Sequence, residues 1–236
     1  MIEIKKTFWE ESYGRNENFM LYPKEEVVKF INRFIRKRVS LTEYVNILQS
    51  DDKLKALDFG CGIGRITILL HEFNVEAYGI DISENAIDEA KKLAKYFQFN
   101  LNDNFSSYNG KKIPFKDEEF DFTISEAVLD SLPFELAKQL MKEIDRVTKK
   151  YFFMSLMHSN SASLFSTLED AQEFNGEIEV KEMHEHGTIQ SLFDKDKLAE
   201  LINGTNFKVK WCEIHTNKDC NEKKYVHSRY YVVLEK

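Results

Sequence analysis

The sequence predicts an α/β fold built on a doubly wound, mostly parallel sheet, and three observations carry that expectation. Leu54 to Phe59 is an apolar run of strand length that ends in a glycine-rich turn, Gly60-Cys61-Gly62-Ile63-Gly64. A helical stretch follows from Arg65 to Phe73, and a second apolar run, Val75 to Ile80, ends in Asp81. Short, nearly continuous apolar runs separated by helices are the pattern of strands covered on both faces.

Ahead of the first strand, Trp9 to Pro23 is rich in aromatic and hydrogen-bonding side chains, unlike a solvated tail. Residues 24–38 and 40–49 carry helix-spaced apolar residues, among them Val27, Val28, Phe30, Ile31, Phe34 and Ile35. Residues 1–50 are therefore expected to form a helical cap or lid, with the main domain over 51–236. Tyr13, Arg15 and Tyr22 are the lid residues expected to reach a bound cofactor or substrate, although simple docking of the aromatic rings explains them equally well.

The glycine turn lets the backbone approach a ligand closely. Asp81 arrives about 20 residues after the first glycine, where a second strand delivers a carboxylate to ribose hydroxyls. Together they point to an adenosine cofactor, and the spacing selects which. Gly60-x-Gly62-x-Gly64 is GxGxG, whereas the dinucleotide fingerprint places its third glycine one position later, where this chain has Arg65. Asp58, just before the turn, offers a carboxylate to a cationic group, whereas a pyrophosphate site presents helix amides to an anion.

On these residues the chain resembles the class I S-adenosylmethionine-dependent methyltransferases, a Rossmann-like family, over roughly residues 50 to 150. The resemblance implies S-adenosyl-L-methionine as cofactor, with Gly60, Cys61, Gly62 and Gly64 against it. It implies Asp58 near the methionine end, Asp81 on the ribose and Ile82 on the adenine face. Cys61 suits close packing inside the turn, and methyl transfer in such a fold needs no nucleophilic thiol. A second passage, Ile113-Pro114-Phe115, an acidic turn and then Phe120 to Ser125, resembles a further stretch of the same family. Its strand ends beside the first one, where ligands bind in doubly wound sheets. Ser125, Glu126, Ala127 and Val128 are thus expected to face the reactive methyl group, with Glu126 and Asp130 as base or substrate-orienting candidates. The family often carries an acid after its third strand that meets the adenine amine. Asp103 or Asn104, within Leu101 to Ser106, could fill that role, with Asn104 carried as the candidate and a turn residue bonded to its own backbone as its alternative.

Past a helix from Phe134 to Val147, Tyr151 to Met157 reads as the fifth strand, with His158 at its carboxyl end as a third catalytic candidate. Residues 159–190 fit no simple alternation and are expected to form a substrate-side insertion carrying His184, His186 and Gln190. His158 with the His184-x-His186 pair lacks the carboxylate spacing of a metal site, so no metal is expected. A capped helix from Asp194 to Asn203 and strands over Phe207 to Ile214 and Tyr225 to Leu234 close the chain. Matched to the family's final hairpin, they complete seven strands with an antiparallel C-terminal strand. Strand alternation assigns structural roles to Arg229, Tyr230 and Tyr231.

A chain of 236 residues with 42% hydrophobic residues is ample for one such domain. Its net charge of −7 argues against a phosphate-backbone partner. The basic run Arg33 to Arg38 favours the negative end of its own helix, or else contacts an acidic partner. No apolar run reaches a membrane span and the N-terminus has no secretory apolar region, so a cytoplasmic protein is expected. Cys61, Cys212 and Cys220 show no pairing pattern and are expected to stay reduced. The function expected is methyl transfer to nitrogen or oxygen of a small molecule, such as a sugar or another metabolite. A hydroxyl acceptor needs a general base and a neutral amine needs little help. The rivals are a methyltransferase acting on tRNA or protein, a non-catalytic S-adenosylmethionine-binding subunit and, last, an NAD-dependent oxidoreductase. Oligomeric state is open, a homodimer included.

Overall fold

The computed structural model describes residues 2–50, 52–164, 176–180, 189–218 and 226–236. The chain begins with helix α1 (Ile2–Gly14) and helix α2 (Glu25–Phe30), which continues as a π-helical turn, Ile31–Ile35. Val27, Phe30, Ile31 and Ile35 are all buried, as their helical spacing predicts. The expected helix over 40–49 does not form. Strands β1 (Arg36–Arg38) and β2 (Tyr44–Asn46) pair antiparallel instead. Leu41, Val45 and Ile47 lie exposed, so no apolar face is available to stabilise a helix there.

The basic run also acts differently from expectation. The Arg36 guanidinium donates to the carbonyls of Phe73 and Asn74 at 3.0 and 2.7 Å, just past helix α3 (Arg65–Glu72). It therefore satisfies the negative end of a neighbouring helix rather than its own. Arg33 stacks over Trp211, and Arg38 donates to the carbonyls of Ser40 and Leu41.

The main sheet contains β3 (Lys55–Phe59), β4 (Glu76–Asp81), β5 (Phe105–Ser107), β6 (Phe120–Glu126), β7 (Thr148–Met157), β10 (Lys208–Lys218) and β11 (Val226–Glu235). Their order is β10-β11-β7-β6-β3-β4-β5. The pairs β3/β4, β4/β5, β3/β6 and β6/β7 are parallel, while β11 runs antiparallel to both β7 and β10. The expected seven-stranded mixed sheet is thus present, with β11 alone reversed. A short hairpin of β8 (Glu177–Glu179) and β9 (Ile189–Ser191) lies in the segment anticipated as an insertion.

Two apolar cores sandwich the sheet. Helix α5 (Phe134–Val147) covers one face, where Leu140, Met141 and Ile144 meet Leu57, Phe59, Phe120 and Phe152. On the other face α2 and α3 pack Val27, Phe30 and Leu70 against Ala56, Phe122 and Phe153. The Phe30 ring stacks on Phe153 with centroids 5.1 Å apart. A register shift between Phe120 and Phe122 sends these two residues to opposite cores, against simple alternation.

Asp58 ties the first strand to the helix after the turn. Its Oδ2 accepts from the Thr67 backbone N–H at 3.0 Å and from the Thr67 hydroxyl at 2.8 Å. Burial pushes its carboxyl up to about 7, against the opposing pull of those hydrogen bonds. The folded state therefore holds a proton that the unfolded chain has released from about pH 4 upward. Stability from this group is present at pH 4 and lost as the pH rises toward 7, at no more than about 1.4 kcal/mol per pH unit. Asp58→Asn is expected to flatten that slope and to gain on wild type as the pH rises. Urea unfolding at pH 4.5, 5.5, 6.5 and 7.5 measures it, and a stability difference between the two proteins that does not change with pH would refute it.

Candidate active site

A cavity of about 630 Å³ opens at the carboxyl ends of β3, β4 and β6, where the strand order reverses. Its floor begins with Gly60, Cys61 and Gly62. The Gly60 and Cys61 amides donate to the Ile80 carbonyl at 2.8 and 3.0 Å, folding the turn back onto the end of β4. Gly60 and Gly62 have φ of +72° and +52°, in the left-handed region that side chains resist. A Cβ on Gly60 would stand 2.4 Å from Val128 Cγ2, and one on Gly62 would stand 2.6 Å from the Tyr13 hydroxyl. The bare backbone is therefore a steric requirement of the cavity wall. Gly64 does not line the cavity; a Cβ there would meet the Phe105 ring at 2.8 Å, so this glycine serves helix-to-strand packing.

Asp81 sits at the end of β4 with Oδ2 accepting from the Gly62 N–H at 2.9 Å and Oδ1 from the Ser83 N–H at 3.0 Å. The remaining acceptor capacity of the carboxylate is open to a ligand. Burial raises its carboxyl, and the backbone donors of Ser83, Gly62 and Ile82 oppose that shift. Ser83 then caps α4 (Glu84–Tyr96), its side chain accepting from the Ala86 N–H. Ile82 lines the cavity beside Asp81.

Helix α1 is the roof. Lys5, Trp9 and Tyr13, four residues apart, present one face to the cavity. On the opposite side, Glu10 accepts from the Asn85 N–H at 3.1 Å in the first turn of α4, a position that favours a carboxylate. Lys5 reaches the Ile189 carbonyl of β9 at 3.0 Å, so α1 spans from α4 to the β8/β9 hairpin. Burial, with Asp81 next, pushes the Tyr13 phenol far above its ordinary value, so it stays protonated. Arg15 turns away from the cavity and pairs with Glu17 at 2.9 Å and Glu11 at 3.5 Å. Tyr22 is exposed, and only its carbonyl engages the site, accepting from Arg65 at 3.4 Å.

The far wall begins after β6. Ala127, with φ of +59°, holds a left-handed conformation that a non-glycine residue adopts at some cost, between two residues that line the cavity. Glu126 is clamped by Lys24 at 2.7 Å and Arg65 at 2.6 Å and also accepts from the Ser155 hydroxyl. Burial alone would raise its carboxyl, but Lys24, Arg229 and Arg65 outweigh it and hold it below the usual range. Asp130 forms a 2.7 Å ion pair with Arg229 and accepts from the Met157 N–H at 2.8 Å. Ser155 joins the two acids, because it also accepts from Arg229 Nη2 at 3.2 Å. Glu126, held below the usual range by its cations, is a weak proton acceptor, and Asp130 is engaged by Arg229 and the Met157 N–H. Each is a charged hub that positions cations around the cavity.

The remaining expected site residues lie elsewhere. Asp58 is fully buried behind the turn, bonded to Thr67, and does not line the cavity. Ser125 is buried with its hydroxyl unpartnered among the described residues, also off the cavity. Asn104 precedes β5 rather than following it, and its amide donates to the Ala77 carbonyl. Tyr108 and Gly110 occupy the cavity position after that strand. His158 also lies outside the cavity lining. Its Nδ1 accepts from the Asn160 N–H at 2.9 Å, its ring packs 4.7 Å from that of Tyr230, and burial lowers its basicity. His184 and His186 fall outside the described residues, and among those described no three His, Cys, Asp or Glu residues group to hold a metal ion. No helix among the described residues is long and apolar enough to cross a membrane. Lys5, Lys24, Arg65 and Arg229 line the site without having been singled out from sequence. Arg65 alone had a signal, the charge standing where a dinucleotide site has glycine.

Residues 50–220 match a family model described as a methyltransferase domain. An uncharacterized protein of Haemophilus influenzae is 36% identical over 101 residues, 42% of this chain and 40% of that one. A sterol 4-C-methyltransferase of Caenorhabditis elegans is 28% identical over 168 residues, 66% of this chain and 46% of that one. The chain thus spans less than half the length of either of these curated relatives. Among solved structures, a protein of Methanosarcina mazei described as a SAM-dependent methyltransferase shares the fold with a TM-score of 0.65 at 24% identity, covering 80% of this chain and 94% of that one.

Proposed function

The chain belongs to the methyltransferase-domain family, and from that premise we propose that it transfers a methyl group from S-adenosylmethionine to a nitrogen or oxygen of a small molecule held in the roofed cavity. S-adenosylmethionine is the cofactor of this enzyme, and when bound it supplies a methyl group already activated by its sulfonium. The observation that carries the site assignment is the cradle at the β3/β4 carboxyl ends, where Gly60 and Gly62, both with positive φ, present bare backbone to the cavity beside the buried Asp81 carboxylate.

In this reading Gly60, Cys61 and Gly62 line the cofactor, Asp81 accepts from its ribose hydroxyls, and Ile82 with Tyr108 contacts its adenine. Arg65 and Lys24, gathered by Glu126, set a positive field beside the cradle. Trp9 and Tyr13 exclude water from above. The protein's contribution to rate is then mainly alignment and desolvation, the terms that oriented reactants exploit most. Glu126 and Asp130 act as positioning residues through their cations rather than as bases. His158 supports the end of β7.

Calorimetric titration with S-adenosylhomocysteine, S-adenosylmethionine and NAD tests the reading. Both adenosyl ligands are expected to bind and NAD is not. Asp81→Asn keeps the side-chain shape but loses the charge of a charge-assisted hydrogen bond, so affinity for S-adenosylhomocysteine should fall about 10- to 100-fold. Unchanged affinity in that variant would remove Asp81 from the site, and no adenosyl binding by wild type would end the proposal.

A further inference from the structure

We infer that the end of the cavity beneath β6, β7 and β11 is a subsite for an uncharged, largely apolar acceptor bearing a hydroxyl group, which Asp130 and Arg229 hold between them. This rests on the methyltransferase reading above and names the substrate class which that reading leaves open.

Asp130 and Arg229 are 1% and 5% exposed and joined by a 2.7 Å ion pair, and both line the cavity. Each nevertheless keeps a buried polar atom with no partner among the described residues, Oδ1 of Asp130 and Nε of Arg229. Buried polar atoms are nearly always paired in native proteins. An unpaired acceptor and an unpaired donor on the two members of one ion pair, both of which line the cavity, mark a place where a ligand completes the bonding. The two orphans differ in kind, since a carboxylate oxygen only accepts and a guanidinium N–H only donates. A hydroxyl does both, so one group on one molecule satisfies the pair.

A charged group fits this pair less well. A carboxylate brought to Arg229 also meets Asp130, and an ammonium brought to Asp130 also meets Arg229. Either would be desolvated at a pair that is already balanced. The other charges facing this end are committed elsewhere: Lys5 on the roof donates to the Ile189 carbonyl, and Lys24 and Arg65 hold Glu126. Gln190 donates through its amide to the Asp130 carbonyl at 2.9 Å, fixing the hairpin wall. Val128, Leu132 and Leu136, close to Asp130 in the chain, and Met157, whose backbone N–H donates to it, also line the cavity. Against such walls the many hydroxyls of a sugar would be stripped of water without replacement bonds, each at a cost of about 1–3 kcal/mol. A compact apolar body with a single hydroxyl meets both the walls and the polar pair.

The test uses wild-type protein saturated with S-adenosylhomocysteine and four probes with one aromatic body: 2-naphthol, 2-naphthoate, 2-naphthylmethylammonium and naphthalene. Calorimetry is expected to rank 2-naphthol first by at least about tenfold over each of the others. In Asp130→Asn, Arg229 loses its balancing charge, so 2-naphthoate is expected to overtake 2-naphthol. The wild-type ranking decides the matter alone if that variant does not fold. Normal S-adenosylhomocysteine binding with no probe bound, or with an ionic probe or naphthalene equal to 2-naphthol, overturns the subsite while leaving the methyltransferase reading intact. Failure of S-adenosylhomocysteine itself to bind overturns both.

Discussion

Gly60→Ala is expected to weaken S-adenosylhomocysteine binding by about 100-fold and to destabilise the fold by about 2–4 kcal/mol. Two separate costs add. The backbone there has φ of +72°, which an L side chain adopts at a penalty of about 1–2 kcal/mol. The new methyl would also press on Val128, whose Cγ2 lies 2.4 Å from the Cβ position. Relief requires moving either the turn or Val128, and both line the cavity, so the strain appears in affinity as well as stability. The double variant Gly60→Ala/Val128→Ala removes the steric part and leaves the conformational part, so it should recover some but not all of the loss. Calorimetry and urea unfolding on the three variants measure both parts. Wild-type affinity in the single variant would show that the turn is free of the cavity.

Arg229→Met is expected to cost about 3–5 kcal/mol, because it leaves the Asp130 carboxylate buried without its cation. For a chain of this size that is a fall in Tm of about 10 °C. The loss should be greater at pH 8 than at pH 5. Without Arg229 the carboxyl can avoid its buried charge only by holding a proton, which raises its folded-state value above the unfolded one, so stability is lost as pH rises. Adding Asp130→Asn to Arg229→Met removes the stranded charge and should restore more than half of the loss, a coupling of at least about 2 kcal/mol. A loss below about 1 kcal/mol in the single variant, or no rescue in the double, would mean that water reaches the pair and screens it.

Much of the glycine-turn side of the cavity is legible from sequence because its signals are local. Positive φ at Gly60 and Gly62 demands glycine whatever surrounds it, and the carboxylate that receives the Gly62 amide sits where a short strand-turn-helix-strand unit must end. The short third strand is not legible because Phe105–Ser107 offers only three residues of pattern, so Asn104, the expected site residue, precedes the strand while Tyr108, which lines the cavity, follows it. Residues 40–49 were misread for a related reason. Their apolar spacing suits a helix, but Leu41, Val45 and Ile47 find no surface to bury against, and the segment pairs as a ribbon instead.

The Asp130–Arg229 end of the cavity is not legible, because its residues come from remote parts of the chain. Arg229 was assigned a structural role by strand alternation. It reaches the cavity wall because β11 inserts antiparallel beside β7, which brings it to Asp130 across 99 positions. Tyr13 and Arg15 are both expected as lid contacts, yet Tyr13 on α1 lines the cavity while Arg15, just past the helix end at Gly14, pairs with Glu17 instead.

The sequence by itself determined the sheet, the cofactor turn and the acid that closes it, since each follows from backbone conformation and burial over a few neighbouring residues. Tertiary structure decided which charges face one another. Ion pairs such as Lys24–Glu126–Arg65 and Asp130–Arg229 have no local pattern, and their energies depend on a burial that exists only after the elements that carry them have packed.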